Sequence, residues 1–216
     1  MKIRMDRQLA QLNRELTEMG ALCEDALTYA IRALFDRESD MAERAEEAEK
    51  QIDQMEREIE AICMRLLLQQ QPVARDLRVI SSALKMIGDM ERIGDQAADI
   101  AEIVQYLKDD EVPNMVHLRK MSDFAAGMVT ASINSFVRQD LNLARKVILD
   151  DDVVDGYFEK VKEALIGIIA EGDRAGAFLL DILMIAKYIE RIGDHATNIA
   201  EWVVYSITGQ HPEESN

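Results

Sequence analysis

At 216 residues, 48% of them hydrophobic, the chain is long enough to bury a sizeable core, and this composition excludes an intrinsically disordered segment. Three prolines, ten glycines, twelve methionines and 5% aromatics point to long helices rather than sheet. A formal charge of −16 argues against a binder of nucleic-acid backbones, which needs clustered Lys and Arg, and suits cations or basic protein surfaces as partners.

Six segments carry helical periodicity. Met5, Leu9, Leu12, Leu16, Met19, Cys23, Ala26, Ala30 and Ala33 recur in steps of four and three, the apolar seam of a bundled helix. After a break near Asp36 to Asp40, the same rhythm runs through Met41, Ala45, Ala48, Ile52, Met55, Ile59, Ile62 and Leu66. Gln69-Gln70-Gln71-Pro72 closes this second helix, because proline lacks an amide hydrogen and disfavours helical geometry in the residue before it. Val79, Ala83, Met86, Met90, Ile93, Ala97, Ile100, Val104 and Leu107 form the third seam, and the run from Asp109 to Asn114 breaks it. A fourth helix, about Leu118 to Arg138, has a softer seam of Met121, Ala125, Met128, Ser132 and Ser135. The fifth carries Leu143, Val147, Val154, Tyr157, Val161, Ala164 and Ile168, each at one constant offset from a seam residue of the second. Beyond Glu171 to Gly176, the sixth repeats the third with Phe178, Ile182, Ile185, Ile189, Ile192, Ala196, Ile199 and Val203.

The chain is organised around an internal echo. Glu91 to Glu102 returns as Glu190 to Glu201 with nine of twelve positions identical, the mark of a duplicated unit. Short turns between long helices make antiparallel neighbours, so the predicted fold is all-α, two tandem, pseudo-symmetric three-helix bundles. The first spans residues 1–112 and the second 113–208, with residues 209–216 a mobile polar tail. Cys23 and Cys63 fall within apolar patterns and read as buried thiols. Neither a signal-peptide core nor an apolar run of membrane-spanning length is present, so a cytoplasmic protein is expected.

Four pairs of acids stand one helical turn apart at symmetric positions: Glu49 and Asp53, Glu91 and Asp95, Asp151 and Asp155, Glu190 and Asp194. Each pair costs a few tenths of a kcal/mol in like-charge repulsion on an isolated helix. A metal ion would offset that cost, and carboxylate oxygens suit Mg²⁺, Mn²⁺, Ca²⁺ or iron better than zinc, which prefers Cys or His. The competing reading is an acidic helix surface balanced by Arg92 and Arg191. Gly94 and Gly193, each costing about 1 kcal/mol relative to alanine inside a helix, mark close approach either of a ligand or of a neighbouring helix. His195 reads as a polar helix residue rather than a ligand, because Gln96 takes its place in the first half.

The run Leu-Gln-Gln-Gln-Pro-Val-Ala-Arg-Asp-Leu-Arg from Leu68 to Arg78, the Glu-Arg-Ile-Gly-Asp at Glu91 and Tyr-Ile-Glu-Arg-Ile-Gly-Asp-His-Ala-Thr-Asn-Ile-Ala-Glu-Trp from Tyr188 to Trp202 resemble the PhoU family over nearly the whole chain. That resemblance implies two three-helix bundles whose acid-x-x-x-Asp motifs bind metal. The motif match carries the metal role to Glu49, Asp53, Glu91, Asp95, Asp151, Asp155, Glu190 and Asp194, with Asp99 and Asn198 completing the candidate set. The expected cofactors are divalent or trivalent metal ions, whether iron, Mn, Mg or Zn. It also implies a negative regulator of phosphate homeostasis and the phosphate-starvation response. The expected partners are phosphate ABC transporter components and a phosphate-sensing histidine kinase, reached as a homodimer, with membrane contact only peripherally through those partners. The chain departs from the family pattern at Gln96, commonly His, and at Asp99, commonly Asn, which puts the equivalence of the two sites in question. The Glu-x-x-His pairs of di-iron oxidases and a Walker-type loop are both missing, so no enzyme is expected. The alternative function is a metal-independent helical adaptor.

Overall fold

The computed structural model describes residues 2–36, 38, 40–70, 72, 74–107, 116–171 and 176–212. These form six helices: α1 Lys2–Asp36, α2 Met41–Gln70, α3 Arg75–Tyr106, α4 Val116–Arg138, α5 Leu141–Glu171 and α6 Gly176–Thr208. No strand occurs among the described residues, and the expected breaks at Asp109 to Asn114 and Gly172 to Ala175 lie outside them.

Helices α1, α2 and α3 pack mutually as one bundle, and α4, α5 and α6 as the other. The bundles join through α3 against α6 and α1 against α4, while α2 and α5 touch only their own bundle. The result is a row, α2–α3–α6–α5, covered on one side by α1 and α4. Buried residues of both halves form one apolar cluster. Joining the bundles buries Leu27 and Leu34 on α1, which share the heptad stripe of Gly20 towards α4, whereas Ile80, Ile87 and Ala101 on α3 and Leu179, Ala186 and Ala200 on α6 share the stripes of Gly94 and Gly193 and face α2 and α5.

The seam residues of α1 to α4 and α6 are buried, with Leu9, Met55 and Val79 half-buried exceptions. In α4 the softness of the seam has a physical reason. Ser122, Ser132 and Ser135 are buried, and their hydroxyls donate to the carbonyls of Leu118, Val129 and Ser132 at 2.6 to 2.9 Å, so these small side chains enter the core without unpaired groups. Helix α5 differs from expectation. Its buried positions are Ala144, Val147, Val154, Val161 and Leu165, whereas Ala164 is exposed and Leu143 half-buried. Leu165 and Ala144 belong to the neighbouring row, because an outer helix with two partners turns its stripe into the groove between them.

Local chemistry sets the turns. Gln139, at φ 53, ends α4 as its N–H and that of Asp140 donate to the carbonyls of Phe136 and Ser135 at 3.1 and 2.9 Å. Asp140 Oδ1 then accepts from the N–H groups of Asn142 and Leu143, both at 3.0 Å, and caps α5, which begins at the next residue, Leu141. At the far end Gly209, at φ 80, closes α6 by donating to the Tyr205 carbonyl at 2.8 Å. Residues 209–212 make contacts with the end of α6. Gln210 N–H donates to Thr208 Oγ1 at 3.1 Å, and the His211 ring lies 4.8 Å from that of Trp202. The remainder of the tail lies outside the described residues.

Close helix approach also accounts for the mid-helix glycines. A Cβ on Gly94 would stand 2.9 Å from Ile52 Cδ1, and one on Gly193 would stand 3.4 Å from Val154 Cγ1, which is the symmetric contact. Both glycines therefore seat α2 on α3 and α5 on α6. At Gly20 a Cβ would meet two carbons of buried Ile133 at 2.7 and 2.8 Å, where α1 crosses α4. Gly20→Ala is expected to destabilise by about 1–3 kcal/mol through overpacking. Gly193→Ala has room and should stabilise by up to about 1 kcal/mol from helix propensity. Urea midpoints of the two variants check the opposite signs.

Candidate functional site

On α3, the helices α2 and α6 cover two flanks and α1 the back, leaving one accessible strip that carries Arg92, Asp95, Asp99 and Glu102. The matching strip of α6 carries Arg191, Asp194, Asn198 and Glu201. The candidate acids therefore lie on the open face of the four-helix row.

In the first half, α2 and α3 bring Glu49, Asp53, Glu56, Glu91 and Asp95 into one field. Burial, then Asp53 and Asp95, push the Glu49 carboxyl above the usual range. Burial, then Asp95, raise Glu91, with Glu56 and Asp53 adding to the effect against Arg92. Glu56 is raised by burial and then by Asp53 and Glu60. The second half repeats this. Asp194 is raised by burial, then by Glu190, Asp151 and Asp155, and Asp155 by burial and then Glu190. Asp151 is raised by burial, although it accepts a hydrogen bond from Thr197 at 3.2 Å. Helix pairing thus joins the sequence pairs two by two across each groove.

Basic side chains hold some of these acids. Arg57 lies 2.7 Å from Asp53, and Arg92 bridges Asp95 at 2.8 Å and Glu91 at 3.3 Å. Lys187 pairs with Glu190. With the side chains so placed, no three His, Cys, Asp or Glu side chains among the described residues form a group that could hold a metal ion. The donor chemistry nevertheless fits a hard cation: all-oxygen, mutually repelling and half-buried save for exposed Asp155 and Asp194, with few other compensating charges.

Asp99 and Asn198 turn elsewhere. Asn198 Nδ2 donates to Asp89 Oδ1 at 3.0 Å, and His195 Nδ1 lies 2.9 Å from the same oxygen, across the seam between α6 and α3. With a carboxylate as acceptor, the proton sits on Nδ1. At the symmetric point the Tyr188 hydroxyl hydrogen-bonds Asp99, whose carboxyl is raised by burial and then by Asp95 and Glu102. Tyr188 occupies in α6 the place that Asp89 occupies in α3. The departures at Gln96 and Asp99 are thus answered by a second exchange at 89 and 188, and both seam acids come from α3. Sequence reading missed Asp89 and Tyr188, although superposing the two repeats beyond the echo would have paired them.

The cysteines are buried thiols, as expected, and burial pushes Cys63 up to about 12.

The PhoU domain model matches residues 16–104 and again 118–203. The chain belongs to the PhoU family. The phosphate-specific transport system accessory protein PhoU homolog of Pseudomonas aeruginosa is 37% identical over 94% of this chain and 84% of its own length. The Escherichia coli K12 phosphate-specific transport system accessory protein PhoU is 31% identical over 94% and 85%. Crystal structures of PhoU from Pseudomonas aeruginosa and of the phosphate transport system regulatory protein PhoU from Streptococcus pneumoniae are similar to this PhoU fold, with TM-scores of 0.90 and 0.89. Their identities are 37% and 28%, over 95% and 96% of this chain and 99% and 98% of theirs.

Two outcomes follow from the site geometry. Raised carboxyls contribute stability that is complete below the ordinary carboxylate range and lost as pH rises through the raised values. The metal-free protein should therefore gain thermal midpoint as pH falls from about 7 to about 5, as acids that repel become protonated; calorimetry against pH reads the sign. Removing Asp89, whose side chain is 14% exposed, leaves His195 and Asn198 without their acceptor. Asp89→Ala should cost about 1–3 kcal/mol, and most of that loss should vanish in a His195→Ala, Asn198→Ala background, as a denaturation cycle measures.

Proposed function

We propose that this protein is a cytoplasmic, cation-binding regulator of phosphate uptake that acts by contact with other proteins and carries out no chemical step. The observation that carries the cation reading is the twofold recurrence of a half-buried carboxylate cluster across α2–α3 and α5–α6, with raised carboxyls in both. Glu49, Asp53, Glu91 and Asp95 would hold one cation or cluster, and Asp151, Asp155, Glu190 and Asp194 the other. A bound cation would neutralise the repelling charges and tie the outer helices α2 and α5 to the central pair. Asp99 and Asn198 are assigned to the seam, one turn from each cluster, and act on the sites by positioning.

The phosphate role is supported by family membership and by the relatives' names as accessory proteins of phosphate-specific transport. The partners proposed from the resemblance are phosphate transporter components and the phosphate-sensing histidine kinase, engaged as a negative regulator. A homodimer is the assembly proposed on the same ground.

Adding Mn²⁺ should raise the thermal midpoint by mass action, and a chelator should reverse the shift. Asp95→Ala with Asp194→Ala should abolish it. If Mn²⁺ raises the midpoint no more than sodium chloride at equal ionic strength, the cation reading is wrong and the metal-independent adaptor stands. Independently, deleting the gene should raise expression of phosphate-starvation genes in phosphate-rich medium; unchanged expression would count against the regulatory role.

A further inference from the structure

The stretch from Leu68 to Arg78, so prominent in the sequence, takes no part in either carboxylate cluster. It forms the outer end of the α2–α3 hairpin. Three large apolar side chains are left in solvent there: Leu68 at 76%, Met64 at 46% and Leu77 at 44% exposure. Exposed Arg65 and Arg75 stand among them, while half-buried Arg78 lays its guanidinium beside Gly209 at the end of α6.

Helix α1 brings more positive charge to the same end. Cys23 Sγ lies 3.4 Å from the Met90 carbonyl, and α1 runs alongside α3 in the same direction. Arg7 precedes Cys23 by about as many residues as Arg75 precedes Met90, so the two lie at one level along α1 and α3. This tip thus gathers exposed Arg7, Arg65 and Arg75 against Asp6 and Asp76, in a chain of net charge −16. Glu213 and Glu214 follow α6 outside the described residues. The positive dipole ends of α1 and α3 at this tip are opposed by the C-terminal ends of α2 and α6.

The opposite tip, between α5 and α6, has the contrary sign. It also exposes apolar side chains, Ile166 and Ile169 at 58% and Leu180 at 61%, but its neighbouring charges are Glu163, Glu171 and Asp181. The two tips lie at opposite ends because α3 and α6 are antiparallel, as the Asp89–His195 and Asp99–Tyr188 pairs require.

We propose that the α2–α3 tip is a lipid-contact site that rests on an anionic bilayer surface, with Leu68 and Leu77 entering the headgroup boundary and the surrounding arginines on lipid phosphates. A plane is favoured because the bases and apolar side chains crown the outer end of three helices instead of lining a groove. The acidic body does not prevent the approach. Glu60 lies eight residues below Leu68, about 12 Å away, beyond a Debye length of about 8 Å. Among the described residues no helix is long and apolar enough to cross a membrane, and the proposed contact is a peripheral one. The inference is independent of the cation reading, and it replaces membrane contact through partners alone by a direct one.

The test is co-sedimentation of the full chain with vesicles of phosphatidylcholine alone or with about one third phosphatidylglycerol, at about 0.1 M and about 0.5 M salt. Sedimentation is expected with the anionic vesicles only and should fall at least about fivefold at the higher salt. Arg65→Gln with Arg75→Gln, and separately Leu68→Gln with Leu77→Gln, should each reduce it at least about threefold with unchanged circular dichroism. Ile166→Gln with Leu180→Gln, at the acidic tip, should leave it intact. Equal sedimentation with neutral vesicles, equal loss from the opposite-tip pair, or no sedimentation at all would overturn the proposal. Salt-sensitive retention on polyglutamate beads without vesicle binding would assign the tip to an acidic protein partner instead.

Discussion

The antiparallel packing of α3 on α6 is the contact on which the rest depends. Each is the innermost helix of its bundle, and their union turns two bundles with separate seams into one buried cluster. Removing apolar surface from water where the bundles meet drives the union. Polar pairs set the register. Asp89 meets His195 and Asn198, and Asp99 meets Tyr188, so both acceptors come from α3 and all three donors from α6. Two copies of α3 brought together in this register would oppose Asp89 to Asp99. The seam therefore favours a first repeat against a second repeat, a specificity that apolar packing alone would not give.

The same seam bears on the candidate sites. His195 directly follows Asp194, Asp89 lies two residues before Glu91, Tyr188 two before Glu190, and Asp99 one turn after Asp95. Every cross-seam hydrogen bond thus fixes the helical turns that present the acids. The exchange of residue types between the halves leaves one seam carboxylate beside each cluster, which reduces the inequivalence that Gln96 and Asp99 suggest when the first repeat is read alone.

Sequence periodicity reaches as far as positions whose side chains repeat with the helix. The seams of α1, α2, α3 and α6, the duplicated unit and the acid pairs are all of this kind, because burial and a one-turn spacing leave a direct trace in residue order. What no spacing encodes is the rotation of one helix about another. The shift of α5 onto Ala144 and Leu165 depends on where α4 and α6 leave a groove, and the seam pairs depend on a contact between residues about a hundred positions apart. Gly94 and Gly193 show the boundary between the two. Their cost within a helix is legible, but the choice between a ligand and a neighbouring helix needed Ile52 and Val154 to be in place.

Those glycines connect packing to the candidate chemistry. By removing a Cβ at the crossing of α2 with α3, Gly94 lets Ile52 close on the next helix, and Ile52 directly precedes Asp53 as Gly94 directly precedes Asp95. The approach that fills the core therefore also draws the two acids towards each other, and Val154 with Gly193 does the same for Asp155 and Asp194. Arg57, Arg92 and Lys187 meet part of the resulting repulsion through half-exposed ion pairs. Such pairs are worth only about 0–1 kcal/mol each in water, so they screen the clusters without closing them. On the proposed cation reading, a multivalent ion reaching several carboxylates at once would gain more than the pairs it displaced, whereas a monovalent ion at one carboxylate would not. Any such preference for charge density would follow from helix packing as much as from the acids themselves.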